Sequence, residues 1–345
     1  MKNRQAMFVA MSVLLAATGA RNAYSQDKLP LRLVQTIPLP NVKGRMDHLG
    51  VDIKGQRLFA AALDNNTLEV IDLKAGKRVL SIPGQSKPQG VFYSPDFNRL
   101  FVDNGGDGTC KIYTGDTFKL IDSVPLGEDA DHVGYDPATK YLYAGYGSVK
   151  SGALGIIDTS TAKHIGDIKV DGRPGGIKIE KSGPRIFLRF AGTGNLAVVD
   201  REKREVISTW PVTAAKASNS LAFDETNHRL FDGTSNPPLL IVFDTESGKQ
   251  IAQLEGVVGI DDTWYDAANK RIYTSGGRES DTGKPPGFVY VYQQKDADHY
   301  ELIAKVSTRP NSQTSILVPE LNRYYVSASS NDTQEAAILV FEPQP

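Results

Sequence analysis

The chain has 345 residues, 39 Lys and Arg against 40 Asp and Glu, and a single cysteine. A net charge of −1 offers no global attraction to nucleic acid or anionic lipid, and a lone Cys110 excludes an internal disulfide. No Walker motif, GxSxG elbow, paired-cysteine metal spacing, haem attachment motif or HExxH is present, so any chemistry has to be assembled from residues far apart in the chain.

Residues 1–25 carry Lys2 and Arg4, an apolar stretch from Ala6 to Ala17 and the small-residue site Ala23-Tyr24-Ser25 before Gln26. This is the pattern of a cleaved secretory signal whose apolar part is too short to span a bilayer. It predicts a periplasmic or secreted mature protein without a membrane span, folded as one domain over 26–345. Residues 31–39 then have strand composition.

From Phe59 onward a basic residue, usually followed by an aliphatic one, leads into an aromatic seven times: Phe59, Phe101, Tyr143, Phe187, Phe231, Tyr273 and Tyr325, spaced 42, 42, 44, 44, 42 and 52 residues apart. Seven residues ahead of these anchors stand Asp52, Ser94, Asp136, Glu180, Asp224, Asp266 and Val318, each five residues before a basic residue or, in the third repeat, before Tyr141. That segment reads as a tight hairpin. A short strand of alternating apolar residues precedes it, as at Leu49 and Val51, Ile177 and Ile179, or Leu221 and Phe223. The anchor sits in a second strand. A third follows a polar loop, as at 68–71, 154–157, 196–199 and 239–243, and a more polar fourth completes the unit at 78–82 or 205–210. Cys110, in a third strand, reads as a small buried apolar residue.

A period in the low forties built from four short strands is a propeller blade. The seventh repeat lacks its fourth strand, and residues 31–39 are predicted to supply it. The fold class expected is therefore all-β, a seven-bladed β-propeller of four antiparallel strands per blade, closed by an N-terminal outer strand.

The repeat register nominates a site where the innermost strands begin, around the hub. Eleven residues before the anchors lie His48, Gly90, His132, Gly176, Ser220, Asp262 and Thr314. One position earlier lie Asp47, Gln89, Asp131, Gly175, Asn219, Asp261 and Gln313. Two of five histidines share a register, each preceded by Asp. Imidazole and carboxylate are ligand types for a divalent metal ion, so His48, His132 and Asp262 are candidate ligands, with Asp47, Asp131 or Asp261 as base. The alternative is structural: such groups hydrogen-bond loops of the next blade, and strand alternation would keep Asp47 and His48 from both pointing inward unless the strand begins after them. Arg45, Lys87 and Arg173 ahead of inner strands, and Arg189 and Arg278 after second strands, are candidates for receiving an anionic small molecule together with Gln89, Asn219 and Gln313. Trp264 and Tyr146 are candidates for stacking on a sugar or base. The long loops 277–287 and 329–335 are candidate lids or partner contacts.

The segments KPQGVFYSPDFNRLFVDN at 87–104 and RPGGIKIEKSGPRIFLRF at 173–190, with the third-strand pattern LEVIDLKAGK or LLIVFDTESGK, resemble the YVTN-repeat or YncE-like propellers of bacterial secreted proteins over roughly residues 42–342. The resemblance implies the propeller fold. For function it implies a choice among surface and periplasmic binding proteins, a single-stranded DNA binder, and relatives among lactonases and lyases. Three functions follow: an exported binding or scaffold module for a small molecule, glycan or protein partner; a metal-assisted hydrolase or lyase; and binding of single-stranded DNA.

Overall fold

The computed structural model describes residues 29–191, 194–215, 217–277 and 286–345, without the side chains of 217–219. The predicted signal segment, Arg278 with most of the blade-six loop, and the Asn219 side chain therefore lie outside the described residues.

Among the described residues, 28 strands form seven four-stranded antiparallel sheets, and the only helical element is a 3-10 turn at Pro319–Leu321. The innermost strands, Leu49–Asp52, Pro88–Ser94, Val133–Asp136, Arg173–Ile179, Ala217–Asp224, Asp262–Asp266 and Ser315–Val318, surround the hub. The seven anchors lie in the second strands and are 0–3% exposed. Each pairs with the residue nine positions earlier: Gly50, Phe92, Gly134, Lys178, Ala222, Trp264 and Ile316. The anchors fill the space between blades. Phe59 packs in one cluster with Val91 and Tyr93 of blade two, and Phe187 lies 5.1 Å from the ring of Phe223 in blade five. Burying one such ring contributes roughly 1.5–3 kcal/mol.

In blades one, two, four, five and six the basic residue ahead of the anchor clamps its blade to the next, whereas Arg323 of blade seven pairs with Glu342 of its own sheet. Arg57 pairs across the hairpin with Asp52 at 2.6 Å and donates to the Gly115 carbonyl of blade two. Arg99 donates to Thr159 O of blade three at 2.8 Å, Arg185 to Thr245 O of blade five at 2.9 Å, and Arg229 to Ala297 O of blade six at 2.9 Å. Where Tyr141 replaces the basic residue, Arg201 of blade four takes over, with its Nε 3.0 Å from Asp136. The clamps satisfy buried carbonyls that water no longer reaches.

Closure is as expected. Leu31–Pro38 is the outer strand of blade seven, paired antiparallel with Ala337–Pro343, and Leu31 and Ile37 are buried at 0% and 1% exposure. The two ends of the described chain are thereby knitted into one sheet, which locks the ring.

Candidate functional site at the hub

The objection from strand alternation is answered by where the inner strands start. Regular pairing begins at Leu49 in blade one and at Val133 in blade three, so Asp47, His48, Asp131 and His132 precede it. They are still tied to the second strand, through Asp47 N to Ala61 O at 2.8 Å and Asp131 N to Gly145 O at 3.0 Å. Outside the pleat, neighbouring side chains are free to converge. Gly90 makes room for this: a Cβ there would stand 1.9 Å from the carbonyl oxygen of Asp131.

The rings of His48 and His132 lie 4.6 Å apart between centroids. His48 Nδ1 is 3.3 Å from Asp262 Oδ2, which also accepts the Ser315 amide at 2.8 Å. His48 Nε2 faces Asp131 at 3.5 Å and Asp47 at 3.6 Å, and His132 Nε2 is 3.6 Å from Asp131. Donor atoms of His48, Asp131 and His132 all fall within 4.8 Å of one another. Asp131, from blade three itself, thus comes within reach of both rings, whereas Asp262 holds the far side of His48.

Above the rings is a cavity of about 170 Å3 lined only by polar residues, among them Arg45, Asp47, Asp129, Asp131, Arg173 and Asp261. Arg45 reaches Asp47 at 2.8 Å and Asp261 at 3.5 Å, and Arg173 reaches Asp129 at 2.6 Å and Asp131 at 3.5 Å. Gln89 donates to Asp129 at 3.0 Å.

Burial and crowding set the charges. Burial pushes the Asp47 carboxyl up to about 7, against the pull of Arg45 and His48. Asp131 is held below the usual carboxylate range: burial opposes its charge, but His132, His48 and Arg173 outweigh it. Burial also works against charge on both imidazoles. In His48 it is overcome by Asp262, Asp131 and Asp47, so its pKa is raised well above the ordinary value, while in His132 it prevails and the pKa is lowered.

Other candidates fall away from the hub. Lys87 is exposed at a left-handed turn, φ 48°, with its amide bonded to Asn66. Gln313 is buried and lines neither hub cavity. Arg189, expected near a loop, is fully buried, with its Nε 3.1 and 3.2 Å from the Asp232 carboxylate. It is a core ion pair between blades four and five, out of reach of a ligand. Tyr146 donates to Asp167 at 2.8 Å, beyond the hub, whereas Trp264 does line it. Loop 329–335 keeps an exposed tip at 331–335. Sequence reasoning missed Asp129, the carboxylate that holds Arg173. The one signal for it was the acidic run Glu128-Asp129-Ala130-Asp131 directly ahead of His132. It also missed Lys178, which stands inside the hub nine residues before its anchor Phe187.

No family model and no curated protein matches the chain. Solved structures match its fold. A chain of the crystal structure of the mitotic checkpoint complex superposes with a TM-score of 0.74 at 13% identity, covering 99% of both chains. Kuenenia stuttgartiensis hydrazine synthase superposes with a TM-score of 0.71 at 15% identity, covering 88% of this chain and 97% of that one. At such identities the likeness is one of fold, and the fold alone fits a binding or scaffold role among many. Among the described residues no helix is long and apolar enough to cross a membrane.

Proposed function

We propose that the protein is an exported propeller whose hub binds a divalent transition-metal ion through His48, His132 and Asp131, and that the ion holds and activates a small anionic molecule in the polar cavity above it. The observation that carries this is the state of the donors. Asp131 Oδ1, His132 Nε2, Asp47 Oδ1 and Asp261 Oδ2 are buried without a hydrogen bond, gathered where blades one, three and six meet. Structural residues that merely tied loops together would have spent these atoms on backbone groups. Ligands at ~2 Å from one ion lie at most about 4 Å apart, so the 4.8 Å limit of the present donors needs movement of less than ~1 Å.

Asp262 orients the His48 ring through Nδ1, which presents Nε2 to the hub. When bound, the ion supplies Lewis acidity toward a ligand oxygen. Arg45 and Arg173, 27% and 19% exposed at the rim, steer an anionic group inward. Asp47, 3.6 Å from His48 Nε2, stands where a proton would be taken from or returned to the ligand. This combination favours hydrolase or lyase chemistry over passive binding. Single-stranded nucleic acid finds no such support, because the cavity, about 170 Å3, offers no row of aromatic side chains on which successive bases could stack.

The test is elemental analysis of tag-free protein after loading with Zn2+ and exhaustive dialysis. One ion per chain is expected, with none in a His48→Ala, His132→Ala double variant that keeps its strand circular dichroism. Wild-type protein that retains no metal overturns the proposal. The mass of the exported chain tests the address, with cleavage expected before Gln26.

A further inference from the structure

Beside the His–Asp cluster the hub holds a second cavity of about 300 Å3, whose lining includes His48, His132 and Asp262 together with Lys178 and Trp264. The same Lys178 and Trp264 also line a vestibule of about 1050 Å3, which places them between the two spaces. The walls of the inner cavity are mainly apolar, including Leu49, Val91, Phe92 and Ile316, and Lys178 is the only lysine or arginine among them.

Lys178 pairs with the Phe187 anchor, at the level where the other blades place Gly, Ala, Phe, Trp or Ile. Nothing in the repeat calls for an amine there. Its Nζ reaches across from blade four to blade six and stands 5.0 Å from the centroid of the Trp264 ring. Among the described residues it makes no hydrogen bond and has no carboxylate at ion-pair distance. Burial holds its pKa below the ordinary lysine value, with only Asp262 opposing from further off. An ammonium in such surroundings costs stability unless a counter-charge arrives. A ring face compensates only in part.

We infer that the inner cavity is a binding site for an aromatic carboxylate, with the carboxylate on Lys178 Nζ and the ring against Trp264 and Phe92. One amine balances the single charge of a carboxylate, whereas a phosphate monoester would bring about two charges into a largely apolar cavity. The volume lies at the lower end of the roughly 300–1,000 Å3 common for small-molecule sites. The site needs no metal, so it stands or falls apart from the metal centre beside it.

The experiment uses metal-free protein, dialysed against chelator, and 4-ethylbenzoate as probe with 4-ethylbenzyl alcohol as its neutral counterpart. The chain has two tryptophans, so Trp210→Phe leaves Trp264 as the sole indole reporter under excitation that tyrosine does not absorb, and calorimetry on the unaltered chain checks that background. Saturable quenching by the carboxylate is expected, with the alcohol about tenfold weaker, the scale of one charge-assisted hydrogen bond. Lys178→Met should weaken the carboxylate about tenfold and leave the alcohol unchanged, while Lys178→Arg should retain the preference. The inference is overturned by absence of saturable binding up to the solubility limit, by equal affinity for the alcohol in the unaltered protein, or by full carboxylate affinity in Lys178→Met.

Discussion

His48 of blade one and His132 of blade three face each other across the hub with ring centroids 4.6 Å apart, and Asp131 lies within 3.6 Å of both rings. Burial weighs on both imidazoles, but Asp262, with Asp131 and Asp47, raises the His48 pKa well above its ordinary value, while burial lowers that of His132. Asp131→Asn removes the charge that both rings feel. Proton NMR titration of the metal-free variant should show the His48 pKa falling toward its ordinary value, while the wild-type ring titrates well above it. Identical His48 titration in both would mean that Asp131 does not face that ring.

Gly90 of blade two packs directly against the backbone of blade three. A methyl group there meets Asp131 O at 1.9 Å, with backbone rather than a flexible side chain in the way. Gly90→Ala is therefore expected to cost about 1–3 kcal/mol, the range for overpacking, and to displace Asp131. Urea denaturation measures the first effect. Zinc retention measures the second, and it should drop although no proposed ligand has been changed.

Arg189 and Asp232 are both fully buried and form an ion pair at 3.1 Å between blades four and five. Asp232→Leu takes the carboxylate from a buried guanidinium and Arg189→Met takes the guanidinium from a buried carboxylate, so each single change should cost about 3–5 kcal/mol. The double change removes both charges of the pair and should recover most of that loss. A double variant as unstable as the sum of the singles would show that the pair acts through packing alone.

Asp103 is fully buried, and burial pushes its carboxyl up to about 8, against the pull of the neighbouring Cys110. Its folded pKa lies above the unfolded value of 3.8, so the folded state holds a proton that the unfolded chain gives up. This contribution to stability is complete below pH 3.8 and is lost as pH rises through about 8. The loss approaches about 1.4 kcal/mol per pH unit while the two states differ by one proton. Asp103→Asn keeps the shape without a titrating proton. Its urea midpoint should be flatter than wild type between pH 5 and about 8, and higher than wild type at the alkaline end. A parallel pH profile in the two proteins would place the linkage elsewhere.

Leu31–Pro38 holds the ring shut. Truncation of Ile37 to Ala, at a site 1% exposed, should cost about 2–5 kcal/mol. Removing 29–38 altogether uncovers the edge of Ala337–Pro343 and should turn a soluble monomeric fraction into aggregate on size-exclusion chromatography.

The blade count, the anchors, the hairpin carboxylates and the N-terminal closing strand were all legible in the sequence, because each is repeated and its cause is local: strand alternation, a turn, and a ring to bury between neighbouring sheets. The register also brought His48 and His132 to notice, since equal offsets from Phe59 and Tyr143 mean equal depth in the hub. What the repeat could not convey is anything that differs between blades. That Asp131 rather than Asp262 serves both rings, that Asp129 holds Arg173, that Arg189 is spent on Asp232, and that Lys178 crosses to Trp264 all depend on which blades face one another and on where each strand begins. Closure of the ring decides those meetings, because it brings groups from blades one, three, four and six within a few ångströms although no local rule of the chain relates them.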